Sequence, residues 1–152
     1  MPYGQWTVDK MLVAPQWTKS SDPDYDVGFF TVQPHNGQNI EQVLGSNSLA
    51  FNTGFTNIVR VVGYPKNSDE PIACLNKTSE QSATQLRFAC GGYFGGTSGS
   101  PWLSRFDPES RKATIIGVIG GYQEGGDTDY VSYSPYFGEG IQALYKQAVA
   151  LG

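Results

Sequence analysis

Charge is scarce in this sequence: only 16% of the 152 residues are charged, and the net charge at pH 7 is −4. The lysines and arginines are scattered, so the chain lacks the basic surface that nucleic-acid binding requires. No apolar run approaches the length of a membrane-spanning helix, and the first residues do not resemble a signal peptide. We therefore expect neither nucleic acid nor a membrane among the partners of this chain.

Histidine and cysteine are rarer still, with one and two residues respectively. They are too few for a four-ligand zinc site. We expect no metal and no cofactor. We expect Cys74 and Cys90 to form a disulfide, with two buried free thiols as the alternative. A bridge closing a loop of this size would contribute about 3 kcal/mol in the chain-entropy description, and it would indicate an oxidising compartment.

Glycine, proline and aromatic residues are abundant, with 19 Gly, 9 Pro and 13% aromatics. This composition is typical of short strands joined by tight turns. Strand-like segments bounded by Gly, Pro or Asp cover residues 6–13, 27–32, 57–63, 85–89, 112–119 and 130–136. Apolar residues at helical spacing from Ile141 to Ala148 predict one helix over about residues 140–150. The expected class is therefore all-β with a terminal helix, and residues from about 54 to 140 are expected to form a six-stranded antiparallel barrel.

The run from Gly95 to Pro101 reads Gly-Gly-Thr-Ser-Gly-Ser-Pro. Glycines on both sides of Ser98 let the backbone turn tightly and let a substrate approach closely. Such a loop can present an exposed hydroxyl beside bare N–H groups, which is what an acyl-transfer nucleophile needs. A plain surface turn is the alternative interpretation of the same residues.

The run resembles the nucleophile loop of the chymotrypsin-fold serine peptidases, with the glutamyl endopeptidases and related secreted trypsin-like peptidases of microbes most similar. Three further segments resemble that family in the right order, namely 26–30, 61–65 and 116–121. The resemblance implies an antiparallel double β-barrel of the chymotrypsin type with an incomplete first barrel and a C-terminal helix. Residues 1–50 would be the remnant of the first barrel, and residues 51–152 would be the second barrel with the serine loop.

By the same resemblance, Ser98 is the nucleophile of a secreted serine endopeptidase that cleaves peptides or proteins through an acyl-enzyme. The backbone N–H groups of Gly96 and Ser98 would form the oxyanion hole. Asp26 would be the aspartate that orients a histidine. The resemblance places the substrate pocket at Gly92, Tyr93, Ile119, Gly120, Gly121 and Tyr122. Neither Gly92 nor Ile119 carries the charged group that trypsin-like or glutamyl-specific relatives use there, so an uncharged pocket for apolar or aromatic side chains is expected.

The catalytic histidine of the family is missing, because none precedes Asp26. The one histidine, His35, follows a strand and would lie roughly 20 Å from the site, so we expect it in a surface turn. The chain would then be a fragment, or one half of a protein that another chain completes, or a shortened inactive relative that only binds. A non-catalytic binding module remains the alternative function, with Trp6, Trp17 and Trp102 as contact residues or as core.

Overall fold

The computed structural model describes residues 3–152. In this part of the chain the strands are β1 Val8–Val13, β2 Gly28–Val32, β3 Ser48–Leu49, β4 Ile58–Gly63, β5 Ile72–Ser82, β6 Gln85–Ala89, β7 Pro101–Asp107, β8 Lys112–Val118 and β9 Val131–Pro135. The α-helices are α1 Pro15–Ser20, α2 Ile40–Leu44 and α3 Glu139–Leu151. A 3₁₀ turn, Pro23–Tyr25, precedes β2.

Seven strands form the main sheet, in the order β3-β8-β7-β4-β5-β6-β9. All neighbours are antiparallel except β3, which runs parallel to β8. The sheet curls so that β9 approaches the end of β8, where Gly120 N donates to Tyr133 O at 3.0 Å and Val118 N donates to Ser134 Oγ at 3.0 Å. The predicted six antiparallel strands are therefore confirmed. A closed barrel is not found, since no ladder pairs β8 with β9 in the described residues.

The core of the main sheet follows from the alternation of side chains along its strands. Val59 and Val61 in β4, and Leu86 and Phe88 in β6, are completely buried. Trp102 in β7 is also completely buried, with its ring centroid 5.5 Å from that of Phe88. Since alternate side chains of a strand point to one face, each of these strands places its apolar set inward. Trp102 is thus a core residue rather than a contact residue for a ligand.

Strands β1 and β2 form a separate antiparallel pair. Helix α3 lies across them and buries Ile141, Leu144 and Ala148, the face that the helical spacing predicts. Phe29 of β2 contacts Tyr145 of the helix, with ring centroids 5.5 Å apart. This packing joins the β1–β2 pair to the rest of the molecule. The boundary expected near residue 50 stays a prediction.

The cysteines are paired as expected. Cys74 in β5 and Cys90, just after β6, form a disulfide with their Cα atoms 6.5 Å apart. The bridge ties the end of β6 to a neighbouring strand immediately before the serine loop. None of the helices within residues 3–152 is long and apolar enough to cross a membrane.

Candidate active site

The serine loop is a tight turn that leaves its hydroxyl open to solvent. Ser100 N donates to Thr97 O at 3.0 Å, and Gly99 at the third position has a φ of 79°, which favours glycine. Thr97 is buried and its Oγ1 donates to Phe94 O at 3.0 Å, so the turn is anchored from below. Ser98 is exposed, and its Oγ forms no hydrogen bond with the described residues. The loop therefore presents a free hydroxyl on a fixed backbone.

Gly96 is required by close packing in this loop. Its φ is 101°, and a Cβ atom there would lie 2.7 Å from Lys66 N. Lys66 N donates to Gly95 O at 2.6 Å, which holds the two segments at this distance. The N–H groups of Gly96 and Ser98 donate to no acceptor within residues 3–152. Both N–H groups are therefore unused donors on the loop that carries Ser98.

Asp26 lies just after the 3₁₀ turn and is partly buried. Its Oδ2 accepts a hydrogen bond from Gly121 N at 2.9 Å. The backbone of Gly120 runs directly against the carboxylate, since a Cβ atom there would lie 2.9 Å from Asp26 Oδ2. The other oxygen, Oδ1, accepts no hydrogen bond within residues 3–152. Asp26 is thus held through one oxygen and keeps a free acceptor.

A short segment, Ile119 to Gly121, binds both predicted catalytic elements. Ile119 O accepts from Gly99 N at 2.8 Å, which ties the segment to the serine turn. Two residues later, Gly121 N donates to Asp26. The structure therefore brings the loop of Ser98 and the carboxylate of Asp26 to neighbouring positions along one stretch of backbone.

Gln85 was not identified from the sequence, although it fixes the surroundings of Asp26. Its side chain is buried, and its Nε2 donates to Pro23 O at 3.0 Å and to Asp24 Oδ1 at 2.8 Å. Its Oε1 accepts from Tyr122 N at 3.0 Å. Gln85 thus clamps the 3₁₀ turn before Asp26 to the backbone that follows Gly121. A glutamine at the start of an apolar strand gives no sequence signal for such a role.

The histidine of this chain lies away from these groups. His35 N and O pair with Gln38 in a tight turn at the end of β2 opposite Asp26. Its imidazole packs against the ring of Trp6, with centroids 5.5 Å apart. The structure therefore places His35 as expected, in a turn that does not include Ser98 or Asp26.

A cavity of about 240 Å³ opens beside Ser98. Of the six residues expected in the substrate pocket, Tyr93 and Ile119 line this cavity. Gly92, with a φ of 91°, directly precedes Tyr93 in the chain but is not a lining residue. Gly120 and Gly121 face Asp26 instead, and Tyr122 packs edge-on against Tyr133 with ring centroids 5.0 Å apart.

The lining also contains Glu124 and Asp127, neither of which was predicted as a pocket residue. The expected uncharged substrate pocket stays a prediction, and two carboxylates line the cavity beside Ser98. The reason is local, because the loop after Gly121 turns back toward Ser98 through a series of positive φ angles. Gly92 and Ile119, the two positions compared with the family, give no information about carboxylates that this loop brings to the cavity.

Tyr93 forms the inner wall of the cavity. Its hydroxyl donates to Val61 O at 2.9 Å, and burial raises the pKa of Tyr93 above its ordinary value. The residue is therefore a neutral, fixed wall at physiological pH. Among residues 3–152 no group of His, Cys, Asp and Glu side chains is arranged to hold a metal ion.

Three solved structures are similar to this fold over nearly the whole chain. Protease Anisep from Arthrobacter nicotinovorans has a TM-score of 0.82 and 27% identity, covering 98% of this chain and 69% of that one. The thermostable serine protease AL20 from an extremophilic microorganism has a TM-score of 0.82 at 22% identity, covering 100% of this chain and 71% of that one. A Glu endopeptidase in complex with MPD has a TM-score of 0.76 at 17% identity, covering 97% of this chain and 66% of that one.

No protein-family model matches this chain, and the comparison with curated proteins found no similar sequence. The structural likenesses confirm that the chain has the fold of the chymotrypsin-type serine peptidases, as the serine loop and its flanking segments predict. The chain spans about 70% of the length of the first two structures, at 69% and 71%.

Proposed function

We propose that this chain carries the nucleophile and the aspartate of a serine endopeptidase whose histidine base comes from outside these 152 residues. The observation that carries the proposal is the segment from Ile119 to Gly121. Its carbonyl binds the turn of Ser98, and its N–H binds the carboxylate of Asp26.

The chemistry follows from the free groups of the site. Ser98 Oγ attacks the scissile carbonyl carbon while its proton passes to the imidazole of the supplied histidine. The N–H groups of Gly96 and Ser98 stabilise the oxyanion that forms. Asp26 accepts the other imidazole N–H through its free Oδ1 and stabilises the cation. The imidazolium then protonates the leaving amine, and water hydrolyses the acyl-enzyme.

The exposure of the β1–β2 pair supports the presence of a further segment that packs against it, and this segment would carry the histidine. Within residues 3–152 each of the two strands has one unpaired edge, and Met11 and Phe30 are 78% and 66% exposed. Two-stranded sheets are marginal by themselves, and open edges attract further strands. An added segment of the same polypeptide or a second chain could cover these residues, and either one could carry the base.

A catalytically inactive, peptidase-like binding module is the second candidate. The specific observation in its favour is that no histidine of the described chain approaches Ser98. A serine hydroxyl without an adjacent base is a weak nucleophile. Under this alternative, the Ser98 cavity binds peptides that are never cleaved.

Labelling with a fluorophosphonate probe separates the two candidates. Without added base, we expect labelling barely above that of Ser98→Ala. Free imidazole should raise the labelling of Ser98 about tenfold or more, because it supplies the base. Asp26→Asn should reduce this rescue, whereas Asp9→Asn, an exposed control in β1, should not.

A longer polypeptide with a histidine-bearing segment before residue 1 should raise labelling by orders of magnitude. Strong labelling of Ser98 without any base would overturn the proposal of an external histidine. Labelling that neither imidazole nor the added segment increases would favour the binding module.

A further inference from the structure

The cavity beside Ser98 has a wall of one charge sign. Glu124 and Asp127 line it, and no lysine, arginine or histidine is among its lining residues. Neither carboxylate forms an ion pair within residues 3–152, and Asp127 Oδ2 accepts only the amide of Gln123, at 2.6 Å. Two unpaired carboxylates at the mouth of a cleft create a negative potential that attracts cations.

A second observation inside the cavity is independent of these charges. Ser132 in β9 is only 2% exposed, lines the same cavity, and has no hydrogen-bond partner within residues 3–152. Its Oγ is not among the fully enclosed side-chain atoms that lack a partner within residues 3–152, so it reaches the open space of the cavity. Ser132 Oγ therefore offers an unused acceptor to a donor group that enters from the side of Ser98.

The loop that carries the carboxylates is held in a strained, fixed shape. Gln123 and Glu124 have φ angles of 50° and 53°, which non-glycine residues rarely adopt. Two glycines follow them, and a Cβ atom on Gly126 would lie 2.3 Å from Val131 O. Strain of this kind persists where the surroundings impose it, and it clusters at functional sites. The backbone that carries the two carboxylates is thus fixed before a ligand arrives.

We infer that this cavity binds the positively charged side chain of a lysine or arginine in a peptide, with Glu124 and Asp127 at its mouth and Ser132 on its wall. The inference rests on the proposed function, because it assigns the side chain that would precede the bond attacked by Ser98. It replaces the apolar or aromatic side chain expected from the sequence. Tyr93 and Ile119 would contact the aliphatic stem, and the charged end would meet the carboxylates.

The experiment compares two short blocked peptides that differ only in one residue, arginine in the first and citrulline in the second. Citrulline has nearly the same shape as arginine but no charge. Binding to the ¹⁵N-labelled chain is followed by amide shifts in NMR spectra at low salt. The arginine peptide should bind about tenfold more tightly, with shifts at Gly125 and Ser132, and the difference should shrink as salt is added.

The double variant with Glu124→Gln and Asp127→Asn should bind the two peptides equally. A matched double variant, Glu80→Gln with Glu109→Gln, changes the net charge equally at exposed positions outside the cavity and should retain the preference. Ser132→Ala should weaken the arginine peptide more than the citrulline peptide.

Equal binding of the two peptides by the unmodified chain would overturn the inference. An equal loss in the matched control, or shifts confined to another surface, would do the same. Because no peptide needs to be cleaved, the outcome is independent of the chemistry at Ser98. Labelling that neither imidazole nor an added histidine-bearing segment increases would refute the proposed function and leave the charge preference to be judged by these titrations alone.

Discussion

Replacing Gln85 by methionine tests whether the surroundings of Asp26 depend on one buried amide. Methionine has a similar length and shape but cannot form the three hydrogen bonds of Gln85 to Pro23 O, Asp24 Oδ1 and Tyr122 N. A typical hydrogen bond contributes about 1 kcal/mol, and one to a charged group contributes more. The added burial of an apolar side chain offsets part of the loss. The free energy of unfolding should therefore fall by about 3 kcal/mol.

Urea denaturation followed by tryptophan fluorescence measures this change, since Trp102 is buried in the folded state. The matched control is Gln81→Met, at an exposed position of β5 whose side chain forms no hydrogen bond within residues 3–152. Its effect should stay within about 0.5 kcal/mol. A loss below about 1 kcal/mol in Gln85→Met would show that the amide is not the clamp described above. The variant should also weaken the imidazole rescue of labelling, because Asp26 would no longer be held against Gly121.

Three further changes test other parts of the site. Tyr93→Phe should lower the free energy of unfolding by about 1 kcal/mol at neutral pH. Because burial raises the pKa of Tyr93 above 10.0, the unmodified chain loses stability as pH rises from that value through the folded-state pKa. The difference in urea midpoint between the two proteins should therefore be smaller at pH 11 than at pH 8. Gly120→Ala should cost about 1–3 kcal/mol and abolish imidazole rescue, because its Cβ would displace the carboxylate of Asp26, whereas Gly91→Ala meets no atom within 4 Å and should do neither. Cys74→Ala should lower the free energy of unfolding by about 3 kcal/mol, measured by urea denaturation under non-reducing conditions.

Short apolar segments bounded by Gly, Pro or Asp made most strands predictable, and β6 was predicted with its observed bounds. Strand β5 was missed because only Thr78 of its eleven residues is buried. The other residues of the segment are at most half-buried, whereas Thr78 Oγ1 donates to Phe55 O at 2.7 Å and accepts from Asn57 N at 2.9 Å. Helix α1 was missed because Pro15 was interpreted as the end of a strand, whereas proline is also favourable at the first position of a helix.

Some features of the candidate site could likewise be predicted from the sequence, and others could not. The turn of Ser98 could be predicted because its glycines are required locally, either for a positive φ or for a close approach of the backbone. Gln85, Glu124 and Asp127 could not, because their roles depend on which distant segments the fold brings beside them. Gln85 acts on residues more than sixty positions earlier in the chain, and nothing in its neighbours indicates that contact.

The hydrogen bonds that position the predicted nucleophile and aspartate all lie within this chain. Ile119 O holds the serine turn, Gly121 N holds Asp26, and Gln85 clamps the backbone on both sides. None of these contacts uses a histidine. An imidazole therefore has to supply proton transfer and little else, which is why a small diffusible base is expected to restore reactivity at Ser98. If the site instead needed the histidine to hold its shape, free imidazole would fail where a covalently attached segment succeeds, so the ratio of the two labelling rates measures how complete this half of the site is.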